Sequence, residues 1–221
     1  MAVVISISNL KGGVGKTTIS INLAGFLSKS FKVFLVDSDP QGSISGWLQR
    51  RNKNDPNKLK HQNLEVAENP YSFEDLKILR QKTKNYDYII IDCPPEDDKI
   101  MRTALSISHY TIIPVKPSPF DIYSSEKTIL TIKEGLKTKA IDVKPFFLIS
   151  LLKVGTLLAR DIRGILKVFN IPIFKTEIAD RIALTEAGIY GKTIFEYLPS
   201  HQSVEEFTKL GKEVLKWQKR V

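Results

Sequence analysis

One stretch, Ser8 to Thr18, reads SNLKGGVGKTT and leaves the chain little choice of fold. The apolar run Val3 to Ser8 leads into it, glycines stand at 12, 13 and 15, and Lys16-Thr17-Thr18 opens a helical pattern that continues to Lys29. A strand that turns into a helix through such a loop aims several backbone N–H groups at one spot, where the helix dipole adds its positive end. That spot suits phosphate. Gly12, Gly13, Val14 and Gly15 supply the cradle, Lys16 reaches β and γ phosphates, and the Thr17 hydroxyl is a ligand for Mg2+. The loop has one anomaly: Leu10 stands where the general pattern has its first glycine, and a second lysine, Lys11, precedes Lys16 by five residues.

A phosphate loop of this kind sits at the carboxyl edge of a parallel sheet. Nearly continuous apolar runs occur at Val3 to Ser8, Val33 to Val36, Tyr88 to Ile91, Thr111 to Val115 and Phe146 to Leu151. Strands buried on both faces read this way. Helix-period segments lie between or after them, at Lys16 to Lys29, Ser72 to Lys84, Asp121 to Thr138, Thr156 to Phe169 and Ser203 to Lys219. The alternation predicts right-handed βαβ crossovers. We therefore expect one α/β domain over residues 1 to 221, with a mostly parallel central sheet and helices on both faces, of the P-loop NTPase type. The polar stretch Arg50 to Asn63 is expected to be a surface loop.

The cation that accompanies a bound nucleotide calls for carboxylates at neighbouring strand ends. Tyr88-Ile-Ile-Ile-Asp92 places one after four apolar or aromatic residues, and Cys93-Pro-Pro95 stops the strand. Asp37 and Asp39 follow the run Val33 to Val36, and Pro40-Gln-Gly42 turns the chain back into a helix. An aspartate at a strand end also serves as a cap or turn residue. With the loop present, the metal reading of Asp92 and a nucleotide-facing role for Asp37 and Asp39 take precedence.

The segments KGGVGKTT, VFLVDSDPQGS, YIIIDCPP and IIPVKPSPFD, in this order, resemble the ParA family of partition ATPases, the deviant Walker A group that also includes MinD. TEAGIYGKTIFEYLPS and the closing helix extend the resemblance over nearly the whole chain, in the short form without an N-terminal helix-turn-helix domain. The resemblance implies ATP and Mg2+ as ligands and weak intrinsic ATP hydrolysis. It implies that Lys11 reaches across a nucleotide-sandwich homodimer to the phosphates of the other subunit. It makes Lys11, Lys16 and Asp39 the catalytic set, with Asp39 positioning the attacking water, Asp37 and Asp92 binding Mg2+ through water, and Thr18 touching the α phosphate. Cys93 to Lys99 becomes the second switch loop. Adenine contacts fall near Leu152 and at Ala179 to Arg181, Ala179 and Asp180 among them, although a proline common in that loop is absent here.

Lysines and arginines number 33 against 24 acids, and the excess leans toward the C-terminal half. Such an excess suits a polyanionic partner. At helical spacing, Arg160, Arg163 and Lys167 oppose an apolar face of Leu158, Ile162, Ile165, Leu166 and Phe169. In the closing helix Lys209, Lys212, Lys216, Lys219 and Arg220 oppose Val204, Phe207, Leu210, Val214 and Trp217. Stripes without base-reading motifs fit sequence-independent contact with DNA phosphates, and a generic cationic surface is the plainer alternative. The expected protein is cytoplasmic and nucleoid-associated, is stimulated by a ParB-type centromere-binding partner, and does not act on membranes. The competing reading is a MinD-like positioning ATPase whose closing helix, with Trp217 among lysines, lies on lipid. A single cysteine, Cys93, excludes an intrachain disulfide and disfavours an iron–sulfur reductase of the nitrogenase type, and the missing C-terminal tyrosine cluster disfavours a tyrosine kinase.

Overall fold

The computed structural model describes residues 2–54, 63–82 and 84–217. Its strands are β1 (Val3–Ile7), β2 (Val33–Asp37), β3 (Leu64–Val66), β4 (Tyr88–Asp92), β5 (Tyr110–Val115) and β6 (Lys144–Ile149). They form one sheet in the order β3-β2-β4-β1-β5-β6. Every pair in it is parallel. The chain leaves β1 for β2, skips the place that β4 later fills, and then crosses to β5 on the other side. The direction of winding thus reverses beside β1, and ligands of open α/β sheets bind at the strand carboxyl ends at such a reversal.

Burial on both faces explains the apolar runs. Val3, Ile5 and Ile7 join one core cluster with Tyr88 and Ile90, while Val4 points the other way to meet Ile89 and Ile91. The first face is covered by α1 (Lys16–Leu27) and α9 (Gln202–Leu215), whose Phe207, Leu210 and Val214 are fully buried. The opposite face carries α3 (Phe73–Lys82), α4 (Asp98–Ile107), α5 (Pro119–Lys137) and α6 (Leu157–Lys167). Two short helices, α7 (Ile182–Ile189) and α8 (Ile194–Tyr197), complete the α1 side with α2 (Ser43–Asn54).

Several sequence expectations change. Arg50 to Asn54 continue α2 rather than forming a loop, because Trp47, Leu48 and Arg51 give that helix a buried face; positions 55–62 of the expected loop lie outside the described residues, as do Lys219 and Arg220. Strand β6 stops at Ile149, and Leu151 turns left-handed at φ 51°. Its side chain thereby meets the phosphate loop, lying 3.7 Å from where a Cβ on Gly15 would stand. Strand β3, with three residues, and the helices α7 and α8 were too short or too glycine-rich for periodicity to mark.

Candidate functional site: a phosphate loop between two aspartates

Strand β1 delivers the loop to the winding reversal. Gly13 and Gly15 adopt φ of 71° and 84°, the left-handed region where any side chain would strain the backbone, and α1 begins at Lys16. The loop is fastened from two sides. Ser150 Oγ donates to the Val14 carbonyl at 2.8 Å. On the other side the buried Asn9 Nδ2 donates to the Pro114 carbonyl at 2.8 Å and to Ser125 Oγ at 2.9 Å.

The two lysines of the loop differ. Lys16 is buried, and its ammonium curls back to donate to the Lys11 carbonyl at 3.0 Å. Burial lowers its pKa, and Asp92, Cys93 and Asp39 oppose that shift. Lys11 instead lies at the surface with Nζ 3.8 Å from Asp121 Oδ1. One cation is therefore aimed into the cradle and the other past it.

Asp37 and Asp92 end β2 and β4 side by side in register. Asp92 is 1% exposed and accepts from Thr17 Oγ1 at 2.7 Å and from Ser20 Oγ at 2.9 Å. Burial pushes its pKa up to about 7, against the two hydroxyl hydrogen bonds and with the help of nearby Asp37. Such a carboxyl is poised to gain from a cation. Asp37, fully buried, accepts from the N–H groups of Asp39 at 3.0 Å, Ile44 at 2.9 Å and Ser45 at 3.3 Å, so it also caps α2. Burial raises its pKa, and those backbone donors pull it back down. Asp39 is half-buried at the mouth, its Oδ1 accepting from Gln41 N–H at 2.9 Å. Among the described residues no cluster of three His, Cys, Asp or Glu could hold a metal by itself. A cation bound here would complete its shell with phosphate oxygens and water, and the Thr17–Asp92 pair is the donor set that magnesium prefers.

The helix that follows Asp39 is anchored at its far end. The guanidinium of Arg51 is 2% exposed, forks onto Glu196 of α8 at 2.7 and 2.8 Å, and also donates to the Gly191 carbonyl at 3.2 Å. Glu196 in turn caps α8 through Thr193, and Asn22 of α1 accepts from Ile194 N–H at 2.7 Å. Thus α2, α8 and α1 are tied together beneath the site. Sequence reasoning missed this clamp, and also Asn9, Ser20 and Ser150. Of these only Ser20 carries a local signal, since it follows Thr17 by three residues on a helix.

The remaining sequence candidates divide. Leu152 and Ala179 pair in a short parallel bridge, with Asp180 N–H donating to the Leu152 carbonyl at 3.0 Å, so Leu152, Ala179 and Asp180 do come together just past the loop. Leu152 and Ala179 are buried, and Asp180 is the exposed member. Thr18 lines a cavity of about 570 Å3 between α1, α2 and α7, with Asn22, Trp47 and Leu184. The basic stripes are less uniform than their spacing implied. Arg163 is tied to Glu177 at 2.7 Å and to the Lys175 carbonyl at 2.9 Å. Lys209 pairs with Glu205 at 2.7 Å. Arg160, Lys167, Lys212 and Lys216 are exposed. On α6 only Ile162 and Leu166 are buried, while Leu158 and Ile165 stay exposed. Both helices flank the segment 173–178, α6 through Arg163 and α9 through Glu213, which accepts from the Thr176 N–H at 2.8 Å. Trp217 is buried and stacks on Tyr110 with ring centroids 4.3 Å apart. Cys93 is buried beside Ser8, and burial pushes its thiol up to about 12.

Known proteins share this architecture. A carboxysome distribution protein A of Halothiobacillus neapolitanus is 28% identical over 220 residues, covering 97% of each chain. The chromosome-partitioning ATPase Soj of Thermus thermophilus is 29% identical over 237 residues, covering 96% of this chain and 94% of the relative. A plasmid partition protein of Borrelia burgdorferi, bound to AMPPNP, superposes with a TM-score of 0.77 at 22% identity, covering 98% of this chain and 99% of the other. No helix among the described residues is long and apolar enough to cross a membrane. Residues 5–194 match the CobQ/CobB/MinD/ParA nucleotide-binding domain, and the chain belongs to that family.

Proposed function

We propose that the chain is a Mg2+-dependent ATPase of DNA partition that cycles between monomer and ATP-bound homodimer. The observation that carries the reading is the division of labour between the loop lysines. Lys16 is turned inward to serve the chain's own β and γ phosphates, whereas Lys11 stands outside the cradle with the Asp121 carboxylate opposite it. A cation so placed does most for a phosphate group presented by another copy, where it stabilises charge in a site closed to water. Thr17, with Asp92 and Asp37 behind it, would hold magnesium, which neutralises charge on the β and γ oxygens. Thr18 contacts the α phosphate, and Asp180, with Leu152 and Ala179, borders the adenine. Asp39 orients the water that attacks the γ phosphorus; the bond to the β–γ bridging oxygen breaks, phosphate departs, and the dimer loses the group that both lysines shared.

The DNA reading rests on the charge excess and on exposed cations of α6 and α9. Arg160, Arg163, Lys167, Lys209, Lys212 and Lys216 contribute phosphate contacts that one copy supplies too sparsely and two copies double. A ParB-type partner would stimulate hydrolysis on the nucleoid. Against the membrane alternative, the tryptophan of the closing helix is spent on Tyr110. Light scattering with ATP tests the dimer. Lys11→Ala should bind ATP and remain monomeric, while Asp39→Ala should dimerise and persist; a Lys11→Ala chain that dimerised like the unmodified one would sink the cross-subunit role. Co-sedimentation with DNA and with liposomes, each with ATP, ADP or no nucleotide, separates the two surfaces. ATP-dependent liposome binding without DNA binding would select the membrane reading.

A further inference from the structure

Buried hydrogen bonds fasten the loop to α5. Asn9 Oδ1 accepts from Thr128 Oγ1 at 3.1 Å and from the Lys11 N–H at 2.9 Å, and Leu10 N–H donates to Thr128 Oγ1 at 2.9 Å. With the bonds of Asn9 to Pro114 and Ser125, this makes a buried weld between the residues before Gly12 and the first three turns of α5. Whatever Lys11 approaches, α5 approaches too, because a lysine side chain is only a four-carbon stem.

The face that α5 carries along is unusual for a free surface. Phe120 is 83% exposed, Tyr123 74% and Leu130 59%, and with the exposed Lys127 between them they fall at i, i+3, i+7 and i+10 on one stripe. Ser124 and Lys127 line the cavity that also contains Lys11, Gly12 and Glu96. Exposed large apolar side chains gathered on one stripe beside a functional site mark an interaction surface. At the head of the stripe Asp121 faces Lys11 across 3.8 Å.

From this we infer that the Phe120–Tyr123–Leu130 stripe meets a second copy of this chain in the ATP-bound dimer, and that Asp121 holds Lys11 aside until that copy's phosphates displace it. The inference rests on the dimer reading above and gives that dimer a face and a gate. The occupant is set by continuity: the stripe begins one residue from the carboxylate that holds the crossing lysine. The gate follows from charge. A triphosphate offers Lys11 several anionic oxygens where Asp121 offers one, so the lysine changes partner only when the other copy carries nucleotide. Without nucleotide in the other copy Lys11 has no anion to exchange for Asp121, so breaking the pair is uncompensated and sets a threshold against dimerisation without ATP.

The test uses the full chain carrying Asp39→Ala, so that hydrolysis does not undo assembly. Binding of a fluorescent ATP analogue and light scattering are followed against protein concentration. Adding Phe120→Ser and Tyr123→Ser should leave ATP binding by the monomer unchanged, since both side chains point to water, yet weaken the dimer more than tenfold through the missing apolar burial. Adding Asp121→Asn instead should move assembly to a protein concentration about two- to thirtyfold lower, as expected for release of one partly exposed ion pair in each copy. A Phe120→Trp chain should shift its emission to the blue with ATP and not with ADP. If the Asp39→Ala chain itself fails to dimerise, the dimer reading falls and this inference with it. If that chain dimerises and the double serine variant dimerises equally well, this inference alone is overturned. Loss of stimulation by a partner protein without loss of assembly would reassign the stripe to that partner, and an unchanged midpoint with Asp121→Asn would remove the gate.

Discussion

The two ends of this molecule spend their charge differently. Around the phosphate loop, Asp37, Asp92 and Lys16 are buried, and each is held by specific donors or acceptors. Along α6 and α9, Arg160, Lys167, Lys212 and Lys216 project into solvent, while Arg163 and Lys209 are paired with glutamates. Buried charge is costly unless every group is matched, so its geometry is over-determined and a substitution there is felt at once. Exposed charge is screened and interchangeable, so its effect accumulates over many residues and depends on salt. The contrast predicts that single substitutions break the first region and only grouped ones break the second.

The strongest test is Lys16→Ala. The loop backbone would remain, but the inward cation would be gone, and turnover should fall by roughly two orders of magnitude or more. Steady-state phosphate release measures it, and a variant hydrolysing ATP at the original rate would overturn the assignment of the site. Next comes the clamp below the site. Arg51→Met removes one side of a buried ion pair and leaves Glu196 unmatched, which should cost about 3–5 kcal/mol of stability. Thermal melting reads this directly. The paired change Arg51→Met with Glu196→Leu should recover much of the loss, because the remaining charge is no longer stranded.

These residues also show what the sequence disclosed and why the rest was hidden. The loop, Asp37 and Asp92 were legible because each lies at the end of an apolar run, where chain geometry and chemistry agree on one position. The doubly buried sheet was legible for the same reason, since Ile89, Ile90 and Ile91 alternate faces yet are all apolar. Arg51 and Glu196 were not, because they meet across 145 positions and neither stands in a pattern. The same holds for Asn9, whose partners lie on β5 and α5. On α6 helical spacing located the basic residues but overstated their uniformity, because Glu177 comes from a different segment that no helical wheel includes.

Removing Arg160, Arg163 and Lys167 together should lower DNA affinity for unrelated duplexes alike. It should reduce the slope of log affinity against log salt by about 0.9 for each DNA phosphate no longer neutralised, with ATP-driven dimerisation intact. Polarisation measured at several salt concentrations would show it, and full binding by the triple variant would move the interface elsewhere on the surface.

The smallest effect separates residues within that stripe. Arg160 is exposed, whereas the Arg163 guanidinium, with its side chain 36% exposed, is already engaged by Glu177 and the Lys175 carbonyl. To reach DNA, Arg163 must first give up Glu177, so its net gain from a phosphate is reduced by what it leaves behind. Arg160→Ala should therefore flatten the salt slope more than Arg163→Ala does, while leaving the melting temperature where it was. Arg163→Ala should do the opposite, with little change in the slope and a loss of about 0.2–1 kcal/mol in stability, the range for a partly exposed pair. Glu177→Gln then provides the internal check: by freeing Arg163 it should raise DNA affinity at low salt, and an unchanged affinity would mean that the ion pair does not restrain Arg163 and that the two arginines differ for some reason other than pairing.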